Sequence, residues 1–342
     1  MDTKMMLKTL CEASGVNGED GACEVAKKLL SAYTDDICTD ALGNVIGYLP
    51  SSKQNAPTVL LEAHIDEIGF VVTGIDAQGF VHVTNCGGVD NRALSAGEVI
   101  FLTEPPLFGV FCSTPPHLTK ADDPLPDLSG RGVDVGLSKE EAEQRITLGT
   151  RAVYRSHFDE LLNNRVSSKA LDNRAGVAAV LGALERVKGN DLPMNVAVSF
   201  SVQEEVGMRG APTAAYGLMP DAAIVVDVSF AHTHDVSKEK YASLGKGPMI
   251  GQAPVLDKNL TAQLFSLAEN ENISVQHEVM GGKTGTDADV IGVVGHGVPC
   301  ALISVPLKYM HTPVEVASLE DIDAVARLMA AFILKGEVPT NA

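Results

Sequence analysis

The chain has 342 residues, enough for one large or two ordinary domains, and its 45% hydrophobic residues can build a sizeable core. The formal net charge of -18 argues against nucleic acid or an anionic membrane as the main partner. No apolar stretch approaches the length of about 18 residues that a membrane span needs, and the N-terminus lacks a signal peptide, so we expect a cytoplasmic protein. The six cysteines are scattered without a CxxC pair, which predicts reduced core residues.

The first 68 residues predict two short helices, a strand and then a long apolar run. Segment 18–33 has apolar residues at helical spacing, and NVIGYL is typical of a strand. The run TVLLEAHIDEIGFVV at 58–72 is interrupted by His64, Asp66 and Glu67. We expect a strand in this run that ends near the histidine.

Residues 69–164 have a different pattern. Apolar and polar residues alternate around glycine-containing turns, which is typical of β-hairpins. Ser138 and Glu141 predict a capping box at the start of a short helix. We therefore expect a β-rich segment that is inserted into another domain.

From residue 165 onward, strands such as NVAVSFSV alternate with amphipathic helices, and Ser318 and Asp321 are predicted to cap the last helix. This alternation favours a largely parallel sheet covered on both faces. The predicted fold class is therefore α/β, with a mostly parallel mixed sheet flanked by helices in residues 1–68 and 165–342. The β-rich insertion occupies residues 69–164.

Histidine and acidic side chains interrupt or follow the apolar runs of several separate elements. In an open α/β sheet, binding sites form beyond the carboxyl ends of the strands, so we expect these side chains to meet. The residues concerned are His64, Asp66, Asp172, Glu204, Glu205, Asp227 and His311.

Two imidazoles and three carboxylates suit zinc, cobalt or manganese rather than a cysteine-type structural zinc site. Five protein ligands are too many for one catalytic zinc ion, but they suit two metals about 3.5–4 Å apart if one carboxylate bridges them. The predicted ligands are His64, Asp172, Glu205, Asp227 and His311.

Glu204 and Glu205 are adjacent, so on an extended chain they point to opposite faces. We expect Glu205 to bind a metal and Glu204 to face the metal-bound water as a general base. Asp66 is two residues from His64 and shares its face on a strand, so it can hold the second ring nitrogen.

Two other motifs have weaker functional signals. His232 and His234 form an HxH pair in a polar loop, for which metal binding and substrate contact are alternatives to an ordinary loop. GGKTGTDAD at 281–289 lacks the spacing of a Walker phosphate-binding loop, and we predict a tight loop near the site.

Six segments occur along the chain in the order AHIDEIGFVV, KALDNRAGVAAVL, QEEVGMRGA, VVDV, LGKGPMI and ISVPLKYMHTPVEVASLEDI. Together they resemble the tetrahedral aminopeptidase family of di-metal glutamyl, leucyl and deblocking aminopeptidases. The resemblance extends from about residue 4 to residue 335. The loop at 229–243 and the loop at 281–289 depart from the family pattern without changing a ligand.

The resemblance implies a role for each predicted ligand. His64 and Asp227 would hold one metal, and Glu205 and His311 would hold the other. Asp172 would bridge the two metals. This assignment agrees with the ligand set predicted from the residue types.

The resemblance also implies that Glu204 is the catalytic base and that Asp66 orients His64. The implied fold is a zinc-peptidase α/β domain interrupted by a β-barrel-like dimerisation domain. Dimers of such subunits typically build a hollow tetrahedral dodecamer.

We therefore expect a metal-dependent aminopeptidase that removes the N-terminal residue of peptides through a metal-bridging water, with Glu204 as general base. The expected cofactors are two divalent ions, zinc ahead of cobalt or manganese.

One alternative is a glycoside hydrolase that uses Glu204 and Glu205 as acid and base. Its carboxyl groups would have to lie about 5–9.5 Å apart around a sugar, and the chain has no tryptophan for sugar stacking. The other alternative is a non-catalytic scaffold that kept the fold.

Overall fold

The computed structural model describes residues 2–17, 19–118, 127–128, 130–234 and 241–338. Helices and strands are numbered in chain order. The helices are α1 (Thr3–Glu12), α2 (Gly21–Leu30), α3 (Lys139–Arg145), α4 (Leu171–Val187), α5 (Gly210–Leu218), α6 (Lys258–Asn270), α7 (Ala288–Ile291) and α8 (Leu319–Lys335). The strands are β1 (Ile37–Thr39), β2 (Val45–Leu49), β3 (Thr58–His64), β4 (Gly69–Ile75), β5 (Val81–Cys86), β6 (Glu98–Phe101), β7 (Leu107–Phe111), β8 (Gly132–Asp134), β9 (Arg151–Tyr154), β10 (Asp159–Leu161), β11 (Arg165–Ser168), β12 (Asn195–Ser201), β13 (Ala222–Phe230), β14 (Met249–Gln252), β15 (Gln276–Val279), β16 (Cys300–Lys308) and β17 (Glu315–Ser318).

A large mixed sheet forms the main body of the protein. Its strand order is β1-β2-β12-β3-β13-β16-β17-β11-β10, and β14 and β15 extend it beside β16. The central strands β12, β3, β13 and β16 run parallel, and so do β14 and β15, whereas the outer pairs are antiparallel. The central strands are mostly buried and mostly apolar because helices cover both of their faces. The predicted α/β class with a mixed sheet flanked by helices is confirmed.

Helix α4 is the main helix on one face of the sheet. It is buried along most of its length and packs against α1, α8, β3 and β13. Small residues allow this close approach, since a Cβ on Gly182 would lie 3.0 Å from the Cβ of Ala326 in α8. Helices α5 and α7 pack together on the opposite face. This packing fixes the start of α4 beside the end of β3.

The predicted cap of α8 is wrong. Ser318 is the residue before the helix, but its side chain makes no capping hydrogen bond. Asp321 instead accepts hydrogen bonds from the backbone N–H groups of Gly245 and Gly247, at 2.7 and 2.8 Å. Its carboxylate therefore holds the loop that leads into β14.

Strands β4 to β9 form a closed barrel between β3 and the return to the large sheet. The ring of Phe70 lies 5.1 Å from the rings of both Phe111 and Tyr154 in edge contacts, which gives the barrel its own core. The predicted capping box of Ser138 and Glu141 begins α3. The predicted barrel-like insertion is therefore confirmed, while its role in dimerisation stays a prediction.

All six cysteines are free. Four are buried as predicted, but Cys38 and Cys112 are exposed, because β1 is an edge strand and Cys112 follows the end of β7. Within the ranges described above, none of the helices combines the length and apolarity that crossing a membrane requires.

Candidate metal centre

The predicted site residues meet at the carboxyl end of the central parallel strands. His64 ends β3, Asp227 lies near the end of β13, and His311 follows β16. The other residues come from the loop after β12 and from the first turn of α4, and these are Glu204, Glu205 and Asp172. The fold therefore brings together residues that lie up to 247 positions apart, from His64 to His311.

Asp172 lies between the two imidazole rings. Its Oδ1 is 3.1 Å from His64 Nε2, and its Oδ2 is 3.3 Å from His311 Nε2. Asp227 Oδ1 lies 3.7 Å from His64 Nε2, and Glu205 Oε2 lies 3.5 Å from His311 Nε2. The side chains thus form two groups, each with one imidazole and one carboxylate, and Asp172 is shared by both.

Glu204 and Asp66 lie on opposite sides of His64. Glu204 Oε2 is 4.0 Å from His64 Nε2, whereas Asp66 Oδ1 is 3.5 Å from His64 Nδ1. Asp66 also accepts hydrogen bonds from the backbone N–H groups of Glu204 at 3.1 Å and Glu205 at 3.3 Å. Asp66 thus lies beside His64, where the sequence pattern predicts it. Its contacts with the backbone of both glutamates were not predicted.

Burial and neighbouring carboxylates raise the pKa values of three acidic side chains in this cluster. Burial, opposed in part by His64 and assisted by Asp227, raises the pKa of Glu204 to about 8. Burial and the neighbouring Asp172 also raise the pKa of Glu205 well above its usual value. The pKa of Asp227 is raised mainly by burial. The protein alone therefore leaves this cluster short of positive charge.

Asp172 and the two histidines shift in the directions expected of close ion pairs. Burial acts to raise the pKa of Asp172, but hydrogen bonds from His311 and His64 lower it. Burial acts to lower the pKa of both imidazoles, and the contact with Asp172 reverses this effect and raises them. Asp172 is therefore the carboxylate that stays ionised most readily.

Divalent cations fit this donor set. His64, Asp172 and Glu205 offer ligand atoms that all lie within 4.8 Å of one another. The surrounding cavity has a volume of about 530 Å³, and the described residues that line it include no lysine or arginine. Imidazole nitrogens and carboxylate oxygens without cysteine suit zinc, cobalt or manganese. Two such cations would balance the four clustered carboxylates.

Glu315 and Gly88 support the site and were missed from the sequence. The Glu315 carboxylate is buried and accepts hydrogen bonds from the backbone N–H groups of His311 at 2.8 Å and Asp172 at 3.1 Å. The His311 ring donates to the backbone of Gly88, where an added Cβ would lie 2.7 Å from His311 Nδ1. One signal was available, since Glu315 is a lone acidic residue within the apolar run PVEVA.

The backbone around the site adopts unusual conformations. Ala170, Gln203 and His311 have φ angles of 57°, 63° and 63°, in the left-handed region that residues other than glycine rarely adopt. Each of them either is a predicted ligand or lies within two residues of a predicted site residue. Such conformations cluster at functional sites, where the surrounding structure holds them.

The two weaker motifs lie outside the His64, Asp172 and Glu205 group. His232 is partly buried and His234 is exposed, while residues 235–240 of the same loop lie outside the described ranges. The 281–289 segment is a tight loop beside the cavity, as predicted, because the Asp289 carboxylate accepts from the backbone N–H group of Thr284 at 2.8 Å.

Comparisons with known proteins agree on one family. The family model for M42 glutamyl aminopeptidases matches residues 43–328. The lysyl aminopeptidase of Pyrococcus furiosus is 33% identical over 336 residues, which cover 96% of each chain. The structure of aminopeptidase APDkam598 from the archaeon Desulfurococcus kamchatkensis has a TM-score of 0.91 and 35% identity, covering 97% of this chain and 94% of that one. The TET1 peptidase of Pyrococcus horikoshii, which can assemble into a tetrahedron or a large octahedral shell, has a TM-score of 0.84 and 32% identity, covering 98% and 100%.

Proposed function

This chain belongs to the M42 glutamyl aminopeptidase family and is a metal-dependent aminopeptidase, and we propose that its acidic cluster binds two divalent cations. The observation that carries the proposal is the position of Asp172, whose two oxygens each face a different imidazole. His64 and Asp227 would hold one cation, and Glu205 and His311 the other. Asp172 would bridge them.

We propose zinc as the native metal, with cobalt or manganese as alternatives, because the donors are imidazoles and carboxylates. When bound, the two cations would supply an activated water and polarise the scissile carbonyl.

Glu204 is the proposed general base. It lies beside the cluster, at 4.0 Å from His64 Nε2, and faces the cavity without being needed as a ligand. Its Oε2 atom would take the proton from the attacking water and then return that proton to the leaving amine nitrogen. Asp66 is a positioning residue, because it hydrogen-bonds the Glu204 backbone and lies beside the His64 ring.

We also propose that the substrate needs a free N-terminus, which the metal centre would hold. The free α-amino group of a peptide would lie against the metal site and the nearby carboxylates, whereas an acetylated N-terminus has no free amino group to place there. Turnover of aminoacyl anilides but not of their N-acetylated forms is therefore expected, and a chelator should abolish it. Equal turnover of both sets would contradict this anchor.

Replacing Glu204 tests the role of the base directly. We expect Glu204→Gln to lower kcat by a factor of about 10² to 10⁴ while metal content stays at the wild-type level. Glu205→Gln should instead lower metal content. Glu269→Gln, on the exposed side of α6, is the matched control and should change neither quantity. Wild-type turnover by Glu204→Gln would exclude Glu204 as the base.

The geometry gives the glycoside hydrolase alternative no support. Both adjacent glutamates face imidazoles, at 4.0 Å for Glu204 and 3.5 Å for Glu205, rather than flanking a cleft for a sugar. Family membership and the assembled cluster together favour an active enzyme over a scaffold.

The α/β body is the proposed catalytic domain, and the barrel is the proposed dimerisation domain. Residues 1–68 and 165–342 would form the catalytic domain, and residues 69–164 would form the dimerisation domain. Strand β10 pairs with β11 in the large sheet, so the chain leaves the barrel a few residues before the proposed boundary at 165. The likeness to the TET1 peptidase supports dimers that assemble into a tetrahedral dodecamer. Cytoplasmic location and the absence of nucleic-acid and membrane partners stay predictions.

A further inference from the structure

A second cavity adjoins the metal-centre cavity. It has a volume of about 670 Å³. Ser229, Phe230, Glu278 and Thr284 line both cavities, so these four residues lie at the boundary between them. A group that extends from a substrate bound at the metal centre could therefore enter the second cavity.

Glu278 is an acidic residue at this boundary with no cationic partner among the described residues. Its carboxylate is partly buried and accepts a hydrogen bond from Ser304 Oγ at 2.7 Å and another from the Ser229 hydroxyl. Burial raises the pKa of Glu278, and the two hydroxyls only partly oppose this shift. A cationic ligand would supply the charge that these hydroxyls do not.

Strand register places Glu278 close to the reaction site. Ser304 in β16 is the register partner of Asp227 in β13, and neighbouring strands lie about 4.8 Å apart. Ser229 lies two residues after Asp227 and therefore on the same face of β13. The Glu278 carboxylate is hydrogen-bonded to both serines, so it lies near Asp227, a proposed metal ligand.

The second cavity has both apolar and polar walls. Phe230, Met249 and Met280 contribute a ring and thioether chains, and Gln276 and His277 contribute polar groups. The apolar wall can hold a long aliphatic stem, and the carboxylate at the boundary can pair with a cationic end. Lysine and arginine have this combination.

We propose that Glu278 is a specificity residue that selects peptides whose first residue is lysine or arginine. The first side chain would lie in the second cavity, with its cation paired to the Glu278 carboxylate. This inference rests on the proposed function, because it takes the metal centre as the place where the N-terminal peptide bond is cut.

The first test needs no variant. The metal-loaded wild-type protein is assayed with lysyl and norleucyl anilides, which share the same four-carbon stem and differ by the terminal ammonium group. A charged pair predicts a kcat/KM for the lysyl substrate that is about 10- to 100-fold higher. An equal or higher value for norleucine overturns the inference and leaves the proposed function intact. No turnover of any free aminoacyl anilide overturns both.

Variants then test whether Glu278 causes the selectivity. We expect Glu278→Gln to bring the lysyl-to-norleucyl ratio of kcat/KM close to one, and Glu278→Lys to shift preference toward glutamyl and aspartyl substrates. Glu269→Gln should keep the wild-type ratio. An equal loss on both substrates in Glu278→Gln would mean that the carboxylate binds the α-ammonium group or supports the fold, and it would overturn the inference.

Discussion

Asp66 and Glu315 each hold two parts of the metal centre through backbone N–H groups. Asp66 bonds the backbone of the two adjacent glutamates, and Glu315 bonds the backbone of Asp172 and His311. Both carboxylates are buried, so each bond forms where water cannot replace it. These residues position the proposed ligands without donating to a metal themselves.

Glu315→Gln is expected to weaken metal binding. One carboxylate oxygen becomes an amide nitrogen, which cannot accept the N–H group that it faces, so either Asp172 or His311 loses its anchor. Loss of such a supporting contact typically lowers metal affinity by a factor of about 10 to 100. Calorimetric titration with Zn²⁺ measures this change, and Glu269→Gln is the control. Unchanged affinity would show that the ligands hold their positions without Glu315.

The sequence predicts the proposed ligands better than the residues that hold those ligands in place. Each predicted ligand is a polar residue that interrupts or follows an apolar run, which is a local pattern that the sequence displays. The contact of Gly88 with His311 joins the barrel to the loop after β16, and no local pattern encodes a contact across 223 positions. Glu315 is a lone acidic residue in an apolar run, but its partners are backbone N–H groups, which every residue except proline has and no sequence pattern identifies.

At the level of elements, one buried ion cluster joins the start of the chain to α4. Glu67, which follows β3, accepts hydrogen bonds from Lys169 at 2.6 Å, from Arg174 at 3.0 Å and from the backbone N–H group of Gly15 at 2.9 Å. Arg174 also donates to the Leu10 carbonyl at the end of α1. This cluster fixes α1, the end of β3 and α4 relative to one another, and Arg174 lies two residues after Asp172 in the chain.

The Glu67 cluster predicts acid sensitivity. Burial acts to raise the pKa of Glu67, but Lys169 and Arg174 outweigh it and lower the pKa below its usual 4.5. A group whose pKa is lowered by folding stabilises the fold above its unfolded pKa, and that stabilisation is lost as the pH falls through its folded pKa. The free energy of unfolding should therefore depend less on pH below about 4.5 in Glu67→Gln than in the wild type.

Urea unfolding of metal-free protein at pH 7 and pH 4 measures this difference. At pH 7, Glu67→Gln should lower the free energy of unfolding by about 3–5 kcal/mol, because the buried Lys169 and Arg174 side chains lose their partner. Glu12→Gln is the control, since Glu12 forms only an exposed pair with Lys8 at 3.8 Å, and such pairs contribute at most about 1 kcal/mol. Equal losses in the two variants would show that the buried cluster adds no special stability.

The elements themselves followed from periodicity, with two informative exceptions. The sequence predicts Asp321 as a cap of α8, but its carboxylate accepts from backbone N–H groups of a loop about 75 residues earlier in the chain. Strand β10 was placed with the barrel because its short polar sequence has no burial pattern, and only its pairing with β11 assigns it to the large sheet. Tertiary contacts decided both cases.

For the whole molecule, metal binding and folding should be coupled. The proposed ligands come from separate strands and from α4, so the metal centre exists only when the sheet and helix are assembled. Ligand binding to the folded state alone stabilises by about 2.7 kcal/mol at a free concentration 100-fold above Kd. We expect the Tm to fall on chelation and to recover with added Zn²⁺, as thermal unfolding followed by circular dichroism would show.

Asp172→Asn provides the matched comparison for this shift. The substitution keeps the size of the side chain but removes the charge shared by the two imidazoles. Its Tm should respond much less to chelator or Zn²⁺. A response equal to that of the wild type would place the stabilising metal somewhere other than this centre.

The contact between Gly88 and His311 limits how the protein can be shortened. Gly88 follows β5 of the barrel, and its backbone is the hydrogen-bond partner of His311, a proposed ligand beside the large sheet. A designer seeking a minimal enzyme would be tempted to replace the whole barrel with a short linker. That deletion would release His311 along with the barrel, so a smaller catalyst has to retain the Gly87–Gly88 turn or supply another acceptor for the imidazole.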